Sequence, residues 1–169
     1  TKDHGIPQSR PRWYCVGIRK DVIAGKTSSF QWPGRLRCSP IDSLLDSGGE
    51  SHVSNAYMDV KGNAEANVYK AQRMLKAKGI DPSNVTCIVD CDASAQRMQC
   101  MQGISPCLTR SRYGGHWITS KARRMTKEEM FRLQGLDFSD FKVNVTEDEL
   151  GKQLGNAMSR NVVERVLYQ

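Results

Sequence analysis

The chain has 169 residues, 38% of them hydrophobic and 25% charged, with no low-complexity run. That is enough for one domain or two small lobes, and it excludes disordered and fibrous classes. The formal net charge of +7 and pI near 9.2 favour a polyanionic partner such as nucleic acid; no apolar stretch approaches the roughly 20 residues of a membrane span.

Residues 1–11 carry neither helical nor strand periodicity, because Pro7 and Pro11 interrupt both. Arg12 to Arg19 is predicted to form a strand, with aromatic and β-branched residues bounded by Pro11 and Lys20-Asp21. Ile23 to Gly34 has the character of a loop closed by Trp32-Pro33-Gly34. Ile41 to Leu45 suits a short helix, and the polar, glycine-rich stretch 47–63 is the expected mobile segment. Ala64 to Lys78 is predicted helical, with Val68, Ala71, Met74 and Leu75 on one face and Gly79 and Asp81-Pro82 as stop signals. Val85 to Val89 follows as a buried strand. Residues 92–106 fit neither pattern, and Arg110 to Ser120 suits a hairpin or loop around Gly114-Gly115. Thr126 and Glu129 form a capping box. Met130 and Leu133 then mark an apolar helix face, and Gly135 ends it. Thr146 with Glu149 opens a second short helix, and Val162, Val163, Val166 and Leu167 define a terminal amphipathic one.

The six cysteines follow no framework spacing. Cys87 and Cys91 lack the CxxC pairing and histidine partner of a zinc site, so no metal is expected. Cys15 and Cys87 fall in apolar strand patterns and should behave as small hydrophobes. The polar start shows no signal-peptide pattern. An intracellular protein with reduced thiols is therefore expected, nuclear in a eukaryote or cytoplasmic in a bacterium.

Between Arg110 and Arg132 lie seven cations (Arg110, Arg112, Lys121, Arg123, Arg124, Lys127 and Arg132) against two acids, interleaved with Tyr113, His116 and Trp117. Cations neutralise phosphates and aromatic rings hold unstacked bases. The same composition fits a solvated face over ordinary core aromatics.

Three ordered segments carry more information. Gln8, Arg10 and Arg12 alternate just ahead of the predicted strand. Arg123, Thr126, Glu129, Arg132, Gln134 and Gly135 recur in one helical stretch. Gln153 to Met158 contains a Gly155-Asn156 pair. In this order they resemble the eighth, ninth and tenth sequence blocks of the cytosine-5 DNA methyltransferases. Met125, Glu128 and Leu136 stand where that family has Leu, Arg and Phe.

The resemblance implies an α/β fold: the C-terminal part of a Rossmann-like, S-adenosylmethionine-dependent methyltransferase domain with a small mixed target-recognition lobe. Residues 1–22 would be a catalytic-domain strand and loop, 23–122 the recognition region, and 123–169 a bracing helix and the return to the catalytic domain. It implies Arg12 at the ring oxygen of a flipped cytosine, with Arg10 and Gln8 in support. Asn156, Gly155 and Ala157 would lie against the methionine end of S-adenosylmethionine. Arg110, Arg112, Tyr113, Lys121, Arg123 and Arg124 would grip DNA.

The family's Pro-Cys-Gln nucleophile, its Glu-Asn-Val carboxylate and its glycine-rich cofactor loop are not in this sequence. Ser105-Pro106-Cys107 resembles the first only superficially: Leu108 follows, on the wrong side of the eighth block, so Cys107 is rejected as nucleophile. The chain is therefore expected to be inactive without an N-terminal catalytic half or complementary subunit, and poorly stable alone. Two alternatives stand beside this one. One is a non-catalytic nucleic-acid-binding or target-recognition subunit. The other is a tRNA cytosine-5 methyltransferase, whose Cys-Phe-Thr triplet Cys107-Leu108-Thr109 resembles with Leu for Phe. The first reading requires both ends of the chain to converge, with Arg12 and Asn156 at one pocket.

Overall fold

The structure is a computed structural model, and it describes residues 1–19, 21, 30–47 and 60–169. Helix α1 (Asn63–Ala77) forms where the apolar spacing predicts it. Ala64, Asn67, Val68, Ala71 and Leu75 are buried on one face, but Met74 is 43% exposed and falls outside the stripe. Gly79, at φ +74°, takes the left-handed position that ends the helix, and Ile80 N–H returns to Leu75 O at 3.0 Å.

Strands β1 (Cys87–Val89), β2 (Cys100–Gln102), β3 (Trp117–Ile118) and β4 (Arg123–Arg124) form an antiparallel sheet in the order β2-β1-β3-β4. Alternation along the strands sorts their side chains onto two faces. Ile88 and Ile118 join Ile6, Ile41, Leu108, Met130 and Leu133 in one core. Val89 and Trp117 turn the other way, against Ala64, Val68 and Ala71 of α1. β2 lies in the stretch that fitted neither pattern, and it pairs with β1 although it is only partly buried. The fold is thus a mixed α/β one with a small antiparallel sheet.

Helix α2 (Lys127–Arg132) carries the predicted capping box in full, with Thr126 Oγ1 accepting from Glu129 N–H and the Glu129 carboxylate accepting from Thr126 N–H. Helix α3 (Glu147–Asn156) is capped by Thr146 and takes in Gly155, ending at Asn156. Helix α4 (Arg160–Leu167) buries Val162, but Leu167 is 76% exposed, so its apolar face is only partly covered.

Arg12 to Arg19 forms no paired strand among the described residues. A strand requires a neighbour to bond to, and among the described residues none pairs with this segment: Trp13, Val16 and Ile18 are exposed. Cys15 is exposed as well, contrary to its expected burial, whereas Cys87 is buried. The predicted loop at 23–29 and most of the expected mobile segment, 48–59, lie outside the described residues. Ile41–Leu44 forms a single 3-10 turn.

The two ends of the chain meet. Asn161 donates to His4 O at 2.6 Å, and Arg165 Nη1 lies 2.8 Å from His4 Nδ1. Gln8 and Ser105 form a parallel bridge, with Ser9 N–H donating to Ser105 O and Ser105 N–H to Pro7 O, both at 2.8 Å.

Candidate functional site

Where the N-terminal segment meets α3, a cleft of about 560 Å³ is lined by Arg12, Thr109, Arg110, Ser111, Tyr113, Lys152, Gly155 and Asn156. Arg12 and Asn156, at opposite ends of the sequence, therefore share one cavity.

Arg10 builds its floor. The side chain is 4% exposed and meets carbonyls rather than a carboxylate. Nη1 donates to Leu108 O, and Nη2 donates to Gly155 O at 3.1 Å and Ala157 O at 2.6 Å. One guanidinium thus ties the N-terminal segment, the 108–109 turn and the end of α3 together. Burial lowers its pKa from the ordinary value, and the like charge of Arg12 acts in the same direction, while Cys107 opposes them; an arginine remains charged regardless. Arg12 is different. It is exposed, donates to its own Pro11 O at 2.7 Å, and faces Cys107 Sγ at 3.6 Å. The terminal nitrogens of Arg10 are engaged by the fold, with its buried Nε unpartnered among the described residues, whereas Arg12 can meet a ligand. Gln8 does not line the cleft; it is fully buried, and its amide donates to Leu133 O at 3.2 Å.

Of the cofactor candidates, Asn156 is exposed in the cleft with no hydrogen bond to its amide among the described residues. The Gly155 and Ala157 carbonyls are both occupied by Arg10. The close approach that Gly155 permits is made to protein: a Cβ there would lie 2.3 Å from Thr109 O.

A model of the C-5 cytosine-specific DNA methylase family matches residues 1–169. The chain belongs to this family. Type II methyltransferase M.HhaI of Haemophilus parahaemolyticus is 27% identical over 176 residues, covering 98% of this chain and 49% of that relative. Type II methyltransferase M.NgoBI of Neisseria gonorrhoeae is 26% identical over 168 residues, covering 97% of this chain and 46% of that relative. The chain thus spans about half the length of the curated relatives it matches, within a family of transferases that methylate cytosine C5 in DNA.

The six residues proposed to grip DNA do not form one surface in this family member. Arg110 and Tyr113 line the cleft. Arg112 pairs with Asp90. Arg124 forks onto Asp92 at 2.7 and 2.8 Å and also donates to Gly115 O. Arg123 is 5% exposed and forks onto the fully buried Glu129 at 2.6 and 2.8 Å, so its charge braces β4 against α2 and does not face solvent. Lys121 lies in the β3–β4 turn, away from the cleft. His116 and Trp117, which could have stacked bases, are core residues. His116 is fully buried, its Nδ1 3.8 Å from Asp90 Oδ1. Burial lowers its pKa; Asp90 opposes this and Arg112 reinforces it.

Sequence reasoning missed Thr109, Ser111, Gly151 and Lys152. The signal was present: Lys152 and Asn156 are four residues apart and share a helix face, as do Gly151 and Gly155. Cys107 lies beside the cleft, its Sγ 3.4 Å from Arg10 Nη1. Among the described residues, no three His, Cys, Asp or Glu side chains cluster so as to hold a metal ion, and no helix is long and apolar enough to cross a membrane.

Proposed function

We propose that this chain is the C-terminal portion of a DNA (cytosine-5-)-methyltransferase, carrying the last three sequence blocks and the target-recognition region. Turnover would require an N-terminal part with the thiolate nucleophile and most of the cofactor pocket. The observation that supports this reading is the convergence of Arg12 and Asn156 on one cleft, with Arg10 hydrogen-bonded to the backbone on both sides of Asn156.

In this reading the target cytosine leaves the duplex, since its reacting face is otherwise stacked. Arg12 donates to the ring oxygen and stabilises the charge that builds on the base as a thiolate adds at C6. Arg10 keeps that arm in place through its carbonyl contacts. S-adenosylmethionine supplies an electrophilic methyl group. Asn156 fits its amino-acid end, having a free amide in the cleft. The antiparallel sheet and α1 form the recognition lobe, and α2 to α4 return the chain to a Rossmann-like domain.

Co-expression of this chain with the N-terminal half of a family relative tests the reading. Transfer of labelled methyl groups to duplex DNA is expected from the pair and not from either half, and Arg12→Ala in the pair should reduce it by at least about a hundredfold, the scale of losing one preorganised donor. DNA binding without transfer in every pairing would favour a recognition subunit, and transfer to tRNA alone would favour the RNA branch.

A further inference from the structure

The place of Asn156 in the cleft is set by the backbone on either side of it. We infer that Gln134, acting with Ser159, is a positioning residue that holds the Asn156 turn ready for its ligand. This role rests on the proposed reading, in which Asn156 meets the amino-acid end of S-adenosylmethionine, and extends it to two residues outside the cleft lining.

The last turn of a helix leaves carbonyls without donors inside the helix. At the end of α3 two buried side chains supply them. Gln134, fully buried after α2, donates its amide to Leu154 O at 2.9 Å, and Arg10 takes Gly155 O at 3.1 Å and Ala157 O at 2.6 Å. Gln134 also holds the far side of the turn. Its side-chain oxygen accepts from Ser159 Oγ at 3.2 Å, and its main-chain oxygen accepts from Arg160 N–H at 2.8 Å. One residue thus grips the chain before and after Asn156, which stays exposed in the cleft between the anchors.

The grip is itself anchored. Ser159 is 1% exposed, and its hydroxyl lies 3.3 Å from Thr1 Oγ1, which donates to Arg10 O at 3.2 Å. Gln8 fixes the neighbouring carbonyl, Leu133 O. Gly135 follows at φ +72°, and a Cβ there would lie 3.0 Å from Ile6 Cδ1 and 3.3 Å from Asn161 N, so this stretch packs directly on the N-terminal segment and the start of α4. A buried amide that uses both its donor and its acceptor specifies one geometry. A turn already held loses less conformational freedom when a ligand arrives. Loosening it should therefore weaken binding and leave the methyl-transfer step nearly intact.

The test combines a local readout with a ligand readout. In the full chain, kept soluble as a maltose-binding-protein fusion, hydrogen exchange is followed by mass spectrometry in peptides spanning 154–161 and 63–77. Gln134→Met, which keeps the length but neither side-chain hydrogen bond, and the milder Ser159→Ala are expected to speed exchange in 154–161 and leave 63–77 unchanged. Val68→Ala, in the α1 core, should do the reverse. In the pair with the N-terminal half of a family relative, Gln134→Met and Ser159→Ala should raise the KM and the dissociation constant for S-adenosylmethionine by about tenfold, the upper scale of one net hydrogen bond, with kcat within about twofold of the parent. Ser159→Thr, which keeps the hydroxyl, should restore the parent affinity. Unchanged exchange in both variants would overturn the positioning role. Faster exchange across both peptides would do the same, as the mark of general destabilisation. A loosened turn with cofactor affinity unaltered would also overturn it. A parent pair that binds no S-adenosylmethionine would instead sink the reading of the chain, and exchange in the fusion would still decide whether Gln134 and Ser159 hold the turn.

Discussion

His116 shows how a single side chain couples this fold to pH. It is fully buried, and neither ring nitrogen has a hydrogen-bond partner among the described residues. Its neighbours are Asp90 at 3.8 Å, Arg112 on Asp90, and Asp92 beyond. Desolvation dominates, so the folded state prefers the neutral ring, with a pKa below the ordinary 6.5. The sign follows from proton counting: between the two pKa values the unfolded chain binds more protons, so stability rises with pH. The contribution is complete above about pH 6.5 and is lost as pH falls through the folded value. His4 shifts in the same direction but is far less buried. Urea unfolding of the soluble fusion at pH 7.5 and at pH 5.5 should show a lower midpoint at the acid end, and His116→Phe should remove most of that difference. At this scale the sequence signalled charge but not its destination. Arg110 and Arg123 look alike in a basic run, yet one lines the cleft and the other is buried on Glu129. Only the fold reveals that Glu129 serves the helix cap and the Arg123 ion pair together.

Elements were legible where local rules determine them. The α2 capping box, the glycine stop of α1 and the burial of β1 all depend on neighbours within a few residues. Arg12 to Arg19 shows the opposite case, since β propensity reports suitability for a sheet while pairing requires a distant edge. Gly155 shows a further non-local effect: in the last turn of α3 it presses against the backbone of Thr109 and Arg110, a contact its sequence neighbours do not signal. Gly155→Ala should therefore act on packing. The added methyl meets backbone rather than a flexible side chain, and overpacking of this kind destabilises by on the order of 1–3 kcal/mol or more. Chemical denaturation would show a reduced midpoint, and the variant should also lose DNA affinity as α3 moves away from Arg110. A variant as stable as the parent would mean that α3 does not approach the turn this closely.

At the scale of the whole molecule, the distribution of apolar surface decides how the chain behaves alone. Trp13 is fully exposed, Val16 and Ile18 near it are unpaired among the described residues, and Leu167 and Tyr168 leave the end of α4 bare. A second cavity of about 330 Å³ is walled by the core side chains Phe131, Leu150 and Leu154 together with Leu136 and the exposed Phe141 and Val145. Such surfaces, together with an unpaired strand-forming segment, drive association. On the proposed reading of the chain as the C-terminal portion of a methyltransferase, these surfaces would face the N-terminal part. The expected outcome is that the chain, freed from a soluble fusion, aggregates or unfolds without a sharp transition, and that an N-terminal half from a relative restores cooperative melting. Trp13 provides a local reporter. With Trp32→Phe in place and Trp117 already buried, the emission shift on complex formation comes from Trp13, and it should move to shorter wavelength as segment 12–19 gains a partner. Cooperative melting of the free chain, with Trp13 emission unchanged by the added half, would mean that this segment has no sheet to complete.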